Sequence, residues 1–420
     1  MLSSRVSHRI PQLLLGVLVL ASPGLAPGHE AATSQTGPWP DFGPHWGIAT
    51  HVELDGISED LAPALDDVLD VHHVIEDDTP LPFAFDAGHL IWMRDFAPVY
   101  VRHPEGVVVW EPLVERAIRR AFRGRATPAR PSGVVAAEQP AVAARRLPLV
   151  LEGGNLVSTG KWAFLTEAVY DDNARELDLE DEEDRLLKAA GYTIRSAPEV
   201  HKLLTEMLAL PAERVVVLPR MPGEATGHVD LFVLALGPNM VMVPSIDEEV
   251  ALSIEAPDAL AAAWDARLHL EEVASELFER GVSVVRWPML PPLELPNVDD
   301  EEEDPTSTVF LSPANLVLYD GPAGRHALLP SFSRLGIERR QFANLQRSYE
   351  AQWRKALDRL GYDIAAVDAA ELAPYLGLIR CVTAPLPLDP TRRGRGGRVA
   401  SGVRGWAARA RHGAVSVGSR

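Results

Sequence analysis

Three junctions of the same chemistry recur along this chain and restrict it to an alternating architecture. They are Ala190-Gly191-Tyr192, Arg280-Gly281-Val282 and Leu360-Gly361-Tyr362. In each, a run with helical spacing ends on Gly, which turns a helix terminus through the left-handed region at little steric cost. An apolar residue then opens a strand-like run. The glycines lie 90 and 80 residues apart, which points to repeated αβ modules without a strict sequence repeat.

The spacing of apolar residues predicts helices over 57–68, 180–190, 199–208, 257–280, 341–360 and 366–372. It predicts strands over 71–75, 90–92, 99–101, 107–110, 163–165, 215–218, 231–236, 240–243, 282–287 and 315–319. In the 257–280 helix, Leu260, Trp264, Leu268, Val273 and Leu277 fall near one face. Such alternation is the pattern of an α/β fold. Two segments read as loops: 116–146, rich in Arg, Ala and Pro, and 291–308, with the acidic run Asp299–Asp304. That run lacks the ligand order of a calcium loop and reads as a solvated face. His72-His73 reads as part of a strand, since adjacent positions are poor metal spacing.

The chain ends differ from its body. Arg5, His8 and Arg9 precede the short apolar run Leu13–Ala21, followed by Pro23 and Pro27. The run is too short to span a bilayer, and the order is that of a cleaved export signal over 1–26, with cleavage between 26 and 32. A periplasmic or secreted location is therefore expected. The segment 391–420 is rich in Gly and Arg and reads as a solvated, disordered tail. This leaves 33–390 as a single expected domain. At 46% apolar residues it can bury a full-sized core, and no other run is long enough to cross a membrane. The net charge is −19; the first 26 residues carry +2 and the last 29 carry +8, which leaves −29 for the body. So acidic a body argues against nucleic-acid binding and makes a cationic substrate attractive.

Cys381 is the one cysteine, so an exported chain has no internal disulfide, and the thiol is either a buried small hydrophobe or a reactive group. Its surroundings favour reactivity. Four short segments each set polar residues beside a strand run or a Gly turn: Trp92-Met93-Arg94-Asp95-Phe96-Ala97-Pro98, Glu152-Gly153-Gly154-Asn155, Thr226-Gly227-His228-Val229-Asp230 and Arg380-Cys381-Val382-Thr383. Ser312-Pro313-Ala314-Asn315 adds a fifth. Residues so placed can converge at one end of a sheet assembly.

In this order the segments resemble the guanidine-modifying superfamily called penteins, and most closely the agmatine deiminases and bacterial-type peptidyl-arginine deiminases. The resemblance covers roughly 40–390. It implies a five-bladed α/β propeller of repeated ββαβ-like modules. It also implies hydrolytic deimination of a guanidino group, with no cofactor and no metal, on a small-molecule or peptide substrate. By this resemblance Cys381 is the nucleophile, His228 the acid–base, and Glu152 its hydrogen-bond partner. Asp95 and Asp230 would hold the guanidinium. Trp92, Asn155 and Asn315 are candidates to touch substrate, with core packing for Trp92 and turn-holding for the two asparagines as the alternatives. The chemistry suits these residue types. A guanidinium is a planar cation that carboxylates hold bidentately, and a thiolate is the natural attacker of its carbon.

Three departures stand out. Ala97 replaces the usual Gly, and Gly43-Pro44-His45-Trp46 is a faint remnant of the family's N-terminal element. Arg380 stands directly before the nucleophile, where its charge is expected either to favour the thiolate or to repel a cationic substrate. Arg94 is expected to form a structural ion pair. An amidinotransferase and a non-catalytic guanidinium-binding protein remain alternatives to the deiminase.

Overall fold

The structure is a computed structural model. It describes residues 36–43, 45–51, 72–75, 94–95, 99–103, 106–113, 142–180, 182–189, 191–296, 306–321, 324–335, 337, 340–373 and 378–387. The expected export signal, the Arg-rich end, the 57–68 helix, the 90–92 strand, Trp92, Ala97 and the acidic run Asp299–Asp304 lie outside the described residues.

Among the described residues, five small sheets share one connectivity: an antiparallel pair whose second strand runs parallel to a third. Val99–His103, Gly106–Leu113 and Val142–Val150 form one such sheet, with Gly37–Pro38 added at its edge. Val157–Ser158, Ala163–Thr166 and Val215–Leu218 form the next. Leu234–Gly237, Met240–Ile246 and Ser283–Met289 form the third. Val317–Gly321, Gly324–Ser331 and Asp363–Asp368 form the fourth. The fifth joins the two ends of the fold. Its strand Ala384–Pro387 pairs antiparallel with His45–His51, which runs parallel to His72–Ile75. The expected α/β class is therefore observed, and five like modules closed by a late strand are what a five-bladed propeller requires.

Parallel pairing needs a long crossover, and the described crossovers are helical. Ala168–Ala174, Glu182–Ala189 and Ala197–Leu208 serve the second sheet, Glu248–Leu252 and Pro257–Glu279 the third, and Arg340–Arg359 the fourth. The helix Pro257–Glu279 lays Ala263, Ala266, Leu270, Val273 and Leu277 in the main core with Val241, Met242 and Val243 of the parallel strand beside it. Each large side chain so buried contributes about 1.5–3 kcal/mol. Leu268, expected on that face, is 51% exposed. The sequence spacing set it on the stripe, but the core side is lined by the small residues Ala263 and Ala266 instead.

All three glycine junctions end helices as expected. Gly191, Gly281 and Gly361 have φ of 103°, 83° and 78°. The next residue donates its N–H five residues back: Tyr192 to Leu187, Val282 to Leu277 and Tyr362 to Leu357. Nothing lies within 4 Å of a Cβ built at any of the three, so backbone conformation and not space demands glycine there. Gly281 and Gly361 feed strands. Gly191 does not: it leads to a second helix, Ala197–Leu208, opened by a capping box between Ser196 and Glu199.

Other expectations are corrected. The 366–372 helix is absent; Asp363–Asp368 is a strand paired parallel with His326–Ser331, because sheet pairing overrides the helix propensity of its alanines. The 231–236 strand begins only at Leu234, after a 3-10 turn over Val229–Leu231. Residues 142–146, expected in a loop, belong to the strand Val142–Val150, and Leu293–Pro296 with Thr306–Val309 forms a hairpin inside the other expected loop.

Candidate active site

Each described candidate sits in the turn that leads into the first strand of a sheet. Asp95 precedes Val99–His103. Glu152 opens the 3-10 turn Gly153–Asn155 before Val157–Ser158, and His228 opens the turn Val229–Leu231, which holds Asp230, before Leu234–Gly237. Asn315 precedes Val317–Gly321, and Cys381 precedes Ala384–Pro387.

Hydrogen bonds join the five turns into a closed ring. Arg94 N–H donates to the Cys381 carbonyl at 2.9 Å, and Gly153 N–H to the Asp95 carbonyl at 3.3 Å. Thr166 Oγ1 donates to the Gly227 carbonyl, and Thr166 N–H to Asn155 Oδ1 at 2.8 Å, which ties the Glu152 turn to the His228 turn. Ser312 Oγ donates to the Leu231 carbonyl, and Arg380 N–H to Asn315 Oδ1 at 3.0 Å, which returns the ring to Cys381. Backbone groups that no strand pairs are thereby satisfied, and the side chains between them are held at fixed positions.

His228 Nε2 lies 2.8 Å from Glu152 Oε2, and Nδ1 lies 3.8 Å from Asp95 Oδ1. Burial alone would lower the imidazole pKa. The carboxylates of Asp95, Glu152 and Asp230 outweigh it and raise the value to about 10, so His228 is an imidazolium at neutral pH. Asn315 Nδ2 reaches Cys381 Sγ at 3.2 Å. The thiol is pushed up by burial and by the nearby charges of Asp230 and Asp95, so it is neutral at rest. A cation placed between it and those carboxylates would reverse that bias. His228, Asp230, Asn315 and Cys381 line one cleft, with Leu231, Val309, Phe310 and Leu378 as its apolar walls.

Arg380 faces two carboxylates and not the thiol. Its Nε lies 3.1 Å from Asp230 Oδ2 and its Nη2 lies 3.0 Å from Asp41 Oδ2, with 4% of the residue exposed. Its charge is spent on two carboxylates rather than on the thiol. Arg94 is structural as expected, donating to Asp41 Oδ1, Gly153 O and Leu156 O at 3.1–3.2 Å.

Asn155 holds its turn: its Oδ1 accepts Thr166 N–H at 2.8 Å and lies 3.0 Å from Thr166 Oγ1. Asn315 holds the Arg380 N–H through its Oδ1 and reaches the Cys381 sulfur through its Nδ2. Two contributors escaped the sequence reading. Glu224 accepts the N–H groups of Thr226 (2.9 Å), Gly227 (2.5 Å) and His228 (3.3 Å), fixing the loop that presents the imidazole. Asp41 ion-pairs with both arginines. The turn residues around each, Gly223-Glu224 and Pro40-Asp41, were the available signals.

Asp95, Glu152 and His228 also offer ligand atoms within 4.8 Å of one another. His228 Nε2 and Glu152 Oε2 are hydrogen-bonded to each other directly, and a metal held here would need the neutral imidazole and would displace that bond. No helix among the described residues is long and apolar enough to cross a membrane.

The sequence matches no protein-family model and no curated relative. Solved structures do match. Agmatine deiminase of C. jejuni is 14% identical, with a TM-score of 0.54 over 84% of this chain and 96% of that one. Its cysteine-to-serine variant with substrate bound gives 13% and 0.55 over the same shares. Agmatine deiminase of Enterococcus faecalis gives 15% and 0.52 over 83% and 94%. At these identities the likeness establishes the fold.

Proposed function

We propose that the protein hydrolyses a guanidino group to a ureido group and ammonia through a covalent cysteine intermediate. The observation that carries this reading is the convergence of Cys381, His228, Asp95 and Asp230, of which Cys381, His228 and Asp230 line one cleft. The agmatine deiminases of like fold support it.

The substrate guanidinium lies against Asp95 and Asp230, where its charge is balanced. Its arrival lowers the thiol pKa, and the proton leaves to solvent because His228 is already protonated. Cys381 Sγ then bonds to the guanidinium carbon. His228 gives its proton to the departing nitrogen, ammonia leaves, and an amidino-cysteine remains. Neutral His228 takes a proton from water as the oxygen attacks the same carbon. The carbon–sulfur bond breaks as the adduct's hydroxyl proton passes to the sulfur, which releases the ureido product and restores the neutral thiol. Glu152 keeps the imidazole oriented and favours its charged form.

Agmatine, arginine and arginine within a peptide all present the group required, and the expected export signal favours a peptide or a scavenged amine. Ammonia release from these three substrates, with Cys381→Ser as control, tests the proposal. Release from one of them, reduced at least about 10³-fold in the control, is the expected result. The contact of Arg380 with Asp230 favours a second reading, a guanidinium-binding protein without turnover. Ligand binding in calorimetry without ammonia release would select it.

A further inference from the structure

The buried side chains Arg94, Asp41, Arg380 and Asp230 form an alternating chain of charges behind the cleft. Asp41 divides its carboxylate between the two arginines: Oδ1 accepts from Arg94 Nη2 at 3.1 Å, and Oδ2 lies 3.0 Å from Arg380 Nη2. Oδ2 also accepts Ser158 N–H at 2.8 Å, which anchors the segment carrying Asp41 to the sheet beside it. The Nε and Nη2 groups of an arginine form the edge that one carboxylate would normally take in a bidentate pair. Here that edge is split: Nε donates to Asp230 Oδ2 at 3.1 Å, whereas Nη2 is ion-paired with Asp41 Oδ2 at 3.0 Å without hydrogen-bond alignment.

This division matters because Asp230 lines the cleft and is 1% exposed. An arginine that took both of its oxygens would be an internal copy of the substrate cation on the same carboxylate. We propose that Asp41 is a positioning residue which holds one end of the Arg380 guanidinium off Asp230, leaving that carboxylate able to receive a substrate guanidinium. The inference rests on the proposed guanidine-hydrolysing function and deepens it. Asp41 touches neither the nucleophile nor the acid–base; it acts through Arg380.

Two consequences follow in sign. Asp41→Asn removes the second carboxylate, so Arg380 closes onto Asp230 and guanidine affinity falls. Arg380→Gln removes the competing cation, so affinity does not fall. The probe is agmatine, with arginine and a short internal-arginine peptide beside it. Binding is measured by calorimetry on the full chain carrying Cys381→Ser, so that turnover does not intrude. Melting curves accompany each variant.

The expected results are a roughly tenfold weaker Kd for Asp41→Asn and recovery in Asp41→Glu, which keeps the carboxylate. Arg380→Gln should bind at least as tightly as the parent. In the double variant Asp41→Asn with Arg380→Gln the loss should disappear, because its cause has gone. A purely structural role for Asp41 would leave the double variant no better than Asp41→Asn alone. Should Asp41→Asn not fold, Arg380→Gln decides by itself, since weaker binding there overturns the proposal. Unchanged binding in Asp41→Asn, or a loss that persists in the double variant, also overturns it. A parent that binds none of the three guanidines removes the proposed function and this inference together. A parent that binds while the variants behave otherwise than stated removes the inference alone.

Discussion

His228 Nε2 and Glu152 Oε2 meet at 2.8 Å across 76 residues of sequence, and the pair holds a charged imidazole in a buried site. The imidazole pKa is about 10 in the folded protein, above its ordinary 6.5. A raised value means that the charged form stabilises the fold in full below the unfolded pKa and that this contribution is lost as pH rises through the folded one. The unfolding temperature should therefore fall between pH 6.5 and 10. Glu152→Gln should make that fall smaller, leaving Asp95 and Asp230 to favour the charged form. Melting curves across this range check it, and an equal slope in parent and variant would contradict the assignment.

Gly154 is what admits the imidazole. A Cβ at this position would lie 2.3 Å from His228 Nδ1 and 2.8 Å from Cε1, closer than any real contact. Gly154→Ala must push the ring away, which disturbs its 2.8 Å bond to Glu152 and its 3.8 Å approach to Asp95. The fold should survive with a loss of about 1–3 kcal/mol, as for other overpacked sites. Turnover of a guanidine substrate should drop by about 10²-fold or more, because misplacement on the scale of 1 Å has that cost. Near-parent activity in a folded Gly154→Ala protein would show that the ring need not stay where it is.

Asp230 ties the electrostatics of the nucleophile to those of the substrate. Its charge helps to push the Cys381 thiol up, after burial, so Asp230→Asn should lower the thiol pKa and speed alkylation by iodoacetamide at pH 8. The same variant should lose guanidine turnover, since a carboxylate that holds the cation is gone. A faster chemical reaction of the sulfur together with a slower enzyme is the expected pairing, measured by mass spectrometry and by ammonia release. Slower alkylation in Asp230→Asn would mean that the carboxylate does not set the thiol's protonation.

The candidate site residues were legible in the sequence because their short segments, taken in order, resemble one family's motifs, and each lies in a turn flanked by Gly or by a strand run. Cys381, His228, Glu152, Asp95, Asp230 and Asn315 all fall within the ring of turns. Helix ends were legible for the same local reason: Gly191, Gly281 and Gly361 need a conformation that sequence can encode. What was hidden depends on distant partners. The strand Ala384–Pro387 carries two prolines and gains its identity only from pairing with His45–His51, more than 330 residues earlier. Residues 366–368 read as the start of a helix, yet they close the strand Asp363–Asp368, which His326–Ser331 pairs in parallel. Arg380 was visible as an oddity, but its bearing on the site depends on Asp41, whose role no local pattern announces.

His269 gives the fold an acid-sensitive point away from the cleft. It lies on the helix Pro257–Glu279 with its ring edge-on to Phe232 at 4.9 Å, two residues beyond Asp230. Its Nε2 is buried without a hydrogen-bond partner. Burial lowers its pKa to about 4, below the ordinary 6.5. A lowered value reverses the sign found for His228: the unfolded chain takes up the proton first, so stability falls as pH drops from 6.5 towards 4. The loss reaches up to about 3 kcal/mol at the acid end. His269→Leu keeps an apolar side chain against Phe232 and removes the titration, so denaturant unfolding should show a shallower acid limb in the variant. Its stability at pH 8 should change by less than about 1.5 kcal/mol, as near-isosteric core exchanges do. An acid limb identical to the parent's would assign the sensitivity to other groups.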